Sequence, residues 1–123
     1  MNWKAQYNTT YTLLNRLTVI QQYGERIHIM YGTIAKIHTD AAKVDALRSL
    51  AERMGTAPGQ LGRYVFQMDA DPGELFLVAV FESRQAYWDN AQSSEQHQRY
   101  QDLRALLDSD PEWHDGAIID AAV

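Results

Sequence analysis

Residues 75–81, LFLVAVF, form an unbroken apolar run, and no other stretch limits the fold as strongly. β-branched and aromatic types predominate in it, and it is short, so it reads as a strand. A strand with one wet face alternates apolar and polar side chains. A run with no polar member needs cover on both faces. The fold must therefore place a layer on each side of this strand. Two helices follow at once: Ser83 stands where it can cap a short helix ending near Ala91, and Ser93 with Gln96 has the form of a capping box for a longer one. Tyr100, Leu103, Leu106 and Leu107 mark the buried face of the longer helix, with His97 one turn before Tyr100. Asp110-Pro111 ends that helix, Gly116 allows a turn, and residues 117–123 read as a last strand.

Upstream, residues 61–69 alternate as a strand, and the sequence ADPGE supplies the turn that pairs them with the apolar run as a hairpin. In residues 26–39, alternation puts Ile27, Ile29, Tyr31, Thr33, Ala35 and Ile37 on one face of a further strand. Asp40 can cap the next helix, in which Val44, Leu47, Leu50, Ala51 and Met54 recur at helical spacing. Gly55 and the Pro58-Gly59 turn close it. The order is βαββαβ, the α+β ferredoxin-like plan with a four-stranded antiparallel sheet. Its helices cover one face only. Because the first and third strands are apolar on both faces, a second copy of the chain, packed through the open face of the sheet, is the simplest cover.

The length of 123 residues allows one such domain, over residues 26–123, preceded by an extension over residues 1–25 that contains a single acidic residue, Glu25. A short amphipathic helix with Leu13, Leu14, Leu17 and Ile20, or an extended arm, would both suit the extension. The net charge of -5, with scattered basic residues, argues against nucleic acid. No apolar run suits a membrane span, no secretory pattern opens the chain, and the absence of cysteine suits a reducing cytoplasm.

The segment VAVFESRQAYWDNAQSSEQHQRY resembles the antibiotic biosynthesis monooxygenase superfamily of dimeric α/β barrels, and the resemblance extends over about residues 30–121. It implies a homodimer and, in the oxygenases of the group, a cofactor-free reaction between molecular oxygen and a small phenol-like or quinol-like substrate. Many relatives carry a tryptophan where the third strand ends and an asparagine within that strand. Here those positions are Phe81 and Leu77, while the aromatic six residues after the strand end is retained as Tyr87. The positions used by haem-degrading relatives fall among Gly32, Thr33 and Ile34, on Asn90 and on Tyr100, a set that argues against haem degradation.

Cofactor-free oxygenation needs an apolar cavity for a flat ring, a base for the phenolic proton and donors for the anion formed. Histidine is suited to the base, because an ordinary imidazole titrates near pH 6.5 and can be neutral in the cell. His97 is therefore the candidate base, the alternative being that it caps its helix or makes one internal hydrogen bond. Tyr87 is the second catalytic candidate, and Phe81, Trp88, Asn90 and Tyr100 are the candidates for substrate contact. Core packing is the alternative for the aromatic residues, and a dimer interface for Trp88. No metal or cofactor is expected, since His28, His38 and His114 lack helical ligand spacing. A non-catalytic dimeric ligand-binding module of the same fold is the alternative function, and the loss of the strand-end tryptophan speaks for it.

Overall fold

Short polar side chains set where each helix begins. Asp40 accepts a hydrogen bond from the Ala42 N–H at 2.9 Å, Ser83 from Ala86 at 3.1 Å and Ser93 from Gln96 at 3.0 Å. In the computed structural model, which describes residues 29–122, these caps open three helical segments set between four strands. β1 is Tyr31–His38; a single 3-10 turn, Ala41–Lys43, leads into α1, Val44–Met54; β2 is Gln60–Gln67 and β3 Glu74–Phe81; α2 is Arg84–Ala91, α3 Ser94–Arg104 and β4 Glu112–Ala117. The strands form one antiparallel sheet in the order β2-β3-β1-β4, the ferredoxin-like arrangement. Two units can be distinguished along the chain, and residues 31–117 form the one that contains the whole sheet. In the other unit, the Ile118 N–H donates to the Met30 carbonyl at 2.9 Å. The predicted N-terminal extension, and His28 with it, lie outside the described residues.

The expected last strand needs correction. It spans 112–117 rather than 117–123, and Gly116 lies inside it, opposite Gly32 of β1. Glycine in a strand commonly marks a close approach of backbones. Gly32 does so on its other side, where a Cβ would collide with the Ala79 carbonyl oxygen of β3.

The register divides the side chains cleanly. Tyr31, Thr33, Ala35 and Ile37 of β1 stand opposite Phe81, Ala79, Leu77 and Leu75 of β3, on the face that the helices cover. Ala35, Ile37, Leu47, Leu75 and Leu107 form the buried core, with Leu77, Leu103 and Leu106 packed against it. The helix-side layer is thus filled toward the His38 end of β1. On the opposite face Ile34, Tyr64 and Phe66 remain 50%, 62% and 53% exposed, with Phe76, Val78 and Val80 half-buried beside them.

His38 fastens two loops at the filled end. Its Nδ1 lies 2.8 Å from Asp108 Oδ2 and its Nε2 lies 3.2 Å from Asp71 Oδ2. Only the imidazolium can donate to both carboxylates at once. The bond to Asp108, then the bond to Asp71, raises the His38 pKa above its ordinary 6.5. A raised pKa means that the contribution to stability is complete below the unfolded value and is lost as pH rises through the folded one. From about pH 6.5 upward the unfolding midpoint of the native chain should therefore fall toward that of His38→Gln, whose own midpoint should not show this fall. Denaturant titrations across that range check it.

Candidate functional site

The helix-side face of the sheet is not filled throughout. Next to the packed Ala35–Leu77 pair, the cross-strand pair Thr33–Ala79 presents two small side chains. The same row continues onto the edge strands, with Arg63 of β2 opposite Ala79 and Asp115 of β4 opposite Thr33. A floor of this kind has a cation at one edge, an anion at the other, and little between. The charged positions are three strand spacings apart, roughly 14 Å between backbones. Above it lies a cavity of about 470 Å³, closed by the end of α1 and by α2 and α3. That volume suits one flat organic molecule of modest size.

Arg63 is occupied in shaping the cavity. Its guanidinium donates to the carbonyls of Gly55 and Ala51, each at 2.7 Å, which satisfies the open C-terminal end of α1 and places a cation there. Gly55 has φ 63, a left-handed conformation that favours glycine, so α1 stops at the cavity rim.

Tyr87 is held by rings on three sides. Its centroid lies 5.3 Å from Tyr31, 5.4 Å from Phe81 and 5.0 Å from Trp88, the last two edge-on. Its hydroxyl donates to Asp115 Oδ1 at 2.7 Å. Burial, first, and then the hydrogen bond to Asp115 push its ionisation far above that of a free tyrosine. The phenol therefore stays protonated, with Thr33 as a second hydrogen-bonding neighbour of its oxygen.

One helical turn along α2, a second polar group joins α2 to α3. Asn90 Nδ2 donates to Gln96 Oε1 at 3.2 Å, and Arg99 Nη1 lies 3.4 Å from both Asn90 Oδ1 and Gln96 Oε1. The capping box is consequently only half formed. Ser93 caps α3, but the Gln96 side chain turns to this cluster, and the Ser93 N–H bonds instead to the Asn90 carbonyl at 2.9 Å. His97 also lines the cavity, with its backbone N–H on the Ser93 carbonyl at 3.1 Å. The cap belongs to Ser93, so His97 has no capping duty.

The structure brings all six sequence-selected residues, His97, Tyr87, Phe81, Trp88, Asn90 and Tyr100, to the wall of this one cavity. Their chemical roles are a separate matter. Phe81 is only 2% exposed and acts chiefly as a wall behind Tyr87. Sequence reasoning did not select Thr33, Gln96, Arg99, Trp113 or Asp115, which also line the cavity. The period-two spacing of Trp113 and Asp115 was the available signal, hidden because Gly116 read as a turn. Among the described residues, no group of three His, Asp or Glu side chains could hold a metal ion. No helix among them is long and apolar enough to cross a membrane.

The family model for antibiotic biosynthesis monooxygenase matches residues 30–103. Among solved structures, a candidate antibiotic biosynthesis monooxygenase from Chloroflexus aurantiacus is similar over 76% of this chain and 97% of its own, with a TM-score of 0.64 and 22% identity. Rv0793 from Mycobacterium tuberculosis is similar over 76% of this chain and 99% of its own, with a TM-score of 0.62 and 21% identity. A variant of SnoaB, a cofactor-independent oxygenase from Streptomyces nogalater, is similar over 75% of this chain and 95% of its own, with a TM-score of 0.61 and 14% identity. No curated protein matches the chain.

Proposed function

The chain belongs to the antibiotic biosynthesis monooxygenase family, and we propose that within it the protein is a cofactor-independent monooxygenase of a small phenol-like or quinol-like aromatic metabolite. The observation that carries this reading is the cavity itself, whose lining includes an imidazole, a phenol and the small floor residues Thr33 and Ala79. A filled layer at Thr33 and Ala79 would have favoured a non-catalytic module.

In this reading the substrate supplies the electrons. His97 takes the acidic proton of the ring system, and the resulting electron-rich anion reduces oxygen. The radical pair recombines with formation of a C–O bond, and the peroxide anion takes the proton back from His97 to give a hydroperoxide. Loss of water from that hydroperoxide breaks the O–O bond and leaves a new carbonyl, so one oxygen atom enters the product and the other leaves as water. Phe81, Trp88 and Tyr100 flank the ring, and Asn90 orients a substrate oxygen. Tyr87, held protonated with its O–H donating to Asp115, accepts from a substrate hydroxyl.

The working unit is a homodimer in the cytoplasm, formed through the open face of the sheet. Exposed Ile34, Tyr64 and Phe66 around half-buried Phe76, Val78 and Val80 make an apolar patch of the kind that marks an interface. The row Gly62–Val80–Gly32–Gly116 crosses that face with a single side chain in it. It forms a groove into which the partner's larger side chains fit.

Oxygen uptake on a panel of hydroquinones and anthrones tests the proposal. Uptake that places one oxygen atom in the product without releasing hydrogen peroxide, retained after dialysis against a chelator, is the expected result. No uptake with any member of the panel counts against oxygenation.

A further inference from the structure

Among the described residues, the cavity lining holds one carboxylate, Asp115, and two guanidinium groups, Arg63 and Arg99. These three charges are not equally satisfied. Asp115 accepts a short hydrogen bond from Tyr87, and Arg63 donates two bonds of 2.7 Å to backbone carbonyls. Arg99 is different. Its only hydrogen bonds among the described residues are contacts of 3.4 Å to two neutral amide oxygens, Asn90 Oδ1 and Gln96 Oε1, and no carboxylate among those residues pairs with it. A half-buried guanidinium with five N–H donors and two long neutral contacts has donors left for a planar anion.

The remaining polar groups fix which way round such an anion sits. Asp115 and Tyr87 form an acceptor pair between β4 and α2, since the Tyr87 proton is committed to Asp115. The Asn90–Gln96–Arg99 cluster lies one turn further along α2, a rise of about 4.5 Å from Tyr87 to Asn90. An anionic group is repelled by Asp115 and attracted by Arg99. A hydroxyl has the opposite preference.

We infer that the cavity selects a hydroxylated aromatic acid, whose ring lies over Thr33 and Ala79, whose hydroxyl donates to the Tyr87–Asp115 pair, and whose carboxylate is gripped by Arg99. This deepens the oxygenase proposal and rests on it for the hydroxyl-bearing ring, while the charge requirement follows from Arg99 and Asp115. Carboxylate and guanidinium match as two parallel N–H···O bonds, so the anionic substituent sets affinity as well as direction.

Fluorescence titration of the full chain with 6-hydroxy-2-naphthoate, 2-naphthol and 2-naphthoate tests the inference. The hydroxy acid should bind at least about tenfold more tightly than 2-naphthol. In Arg99→Gln this preference should vanish while 2-naphthol affinity is kept, and in Asp115→Asn the preference for the hydroxy acid over 2-naphthoate should shrink. Should Arg99→Gln lose its circular dichroism, Arg99→Lys replaces it. There the point charge remains without the planar fork, and a partial loss of the preference is expected. Equal or tighter binding of 2-naphthol to the native chain, or a preference untouched by either Arg99 variant, overturns the inference. The two proposals fail separately: Arg99-dependent binding without oxygen uptake on any substrate removes the oxygenase reading alone. Turnover of neutral phenols that ignores Arg99 removes this inference alone.

Discussion

His97→Ala should lower oxygen uptake by about 10²- to 10⁴-fold, the usual contribution of a positioned proton acceptor, with KM nearly unchanged. Among the described residues His97 is the only imidazole on the cavity wall, and the other ionisable groups there are poor substitutes. Tyr87 cannot serve as the base, because burial and Asp115 keep its phenol protonated. Asp115 is already engaged by that phenol at 2.7 Å. Arg63 and Arg99 carry only N–H donors and have no site to accept a proton. The fall should be confined to chemistry: His97 is exposed on α3, so alanine there removes little packing and favours the helix. Added imidazole should restore part of the lost rate by entering the vacated space. A variant with native turnover would show that the proton leaves by another route, and His97 would then be an ordinary surface residue.

The second large effect concerns assembly. Val78→Asp should convert the protein from dimer to monomer while leaving it folded. Val78 lies on central strand β3, pairs with Ile34 and Tyr64, and faces away from the helices. In a lone chain that face is open to water, so a carboxylate costs little. In a face-to-face dimer it would be buried without a partner, at about 3–5 kcal/mol, and two-fold symmetry doubles the penalty. A weakening of the dimer by many orders of magnitude follows, since each 1.4 kcal/mol is about tenfold. Sedimentation equilibrium distinguishes the outcomes. Native protein that is monomeric at micromolar concentration would contradict the argument from the doubly apolar strands, whatever the variant does.

Much of this architecture was legible in residue order because local signals agreed with the global plan. Ser83 and Ser93 cap the helices they were expected to cap, Asp40 caps the 3-10 turn that leads into α1 rather than α1 itself, and the apolar run became β3 with Leu75 and Phe81 each 2% exposed on the covered face. Alternation separated buried Tyr31, Thr33, Ala35 and Ile37 from exposed Ile34 and Lys36, but the strand begins at Tyr31 rather than at residue 26, and Ile29, assigned to the buried face, precedes it and is 56% exposed. The last strand escaped for a physical reason. β4 is an edge strand whose helix-side residues include the acid Asp115, and whose Gly116 is tolerated because it lies opposite Gly32. Neither feature has the signature of a buried strand. The site shows the same division. Residues carried by strong local patterns, on α2 and α3, could be named in advance. The cavity depends on the pairing of Thr33 with Ala79, two small residues 46 positions apart, and no window of sequence reports their adjacency. Once that row is in place, Arg63 and Asp115 follow from register alone.

Isotope labelling offers the most direct test that this family member oxygenates an aromatic ring system unaided. Native protein freed of metal by chelation should be supplied with ¹⁸O₂ and an anthrone that it consumes, and the product examined by mass spectrometry. The account predicts one ¹⁸O atom in the quinone product and the other in water. Product oxygen drawn from solvent, or label appearing only in hydrogen peroxide, would contradict it.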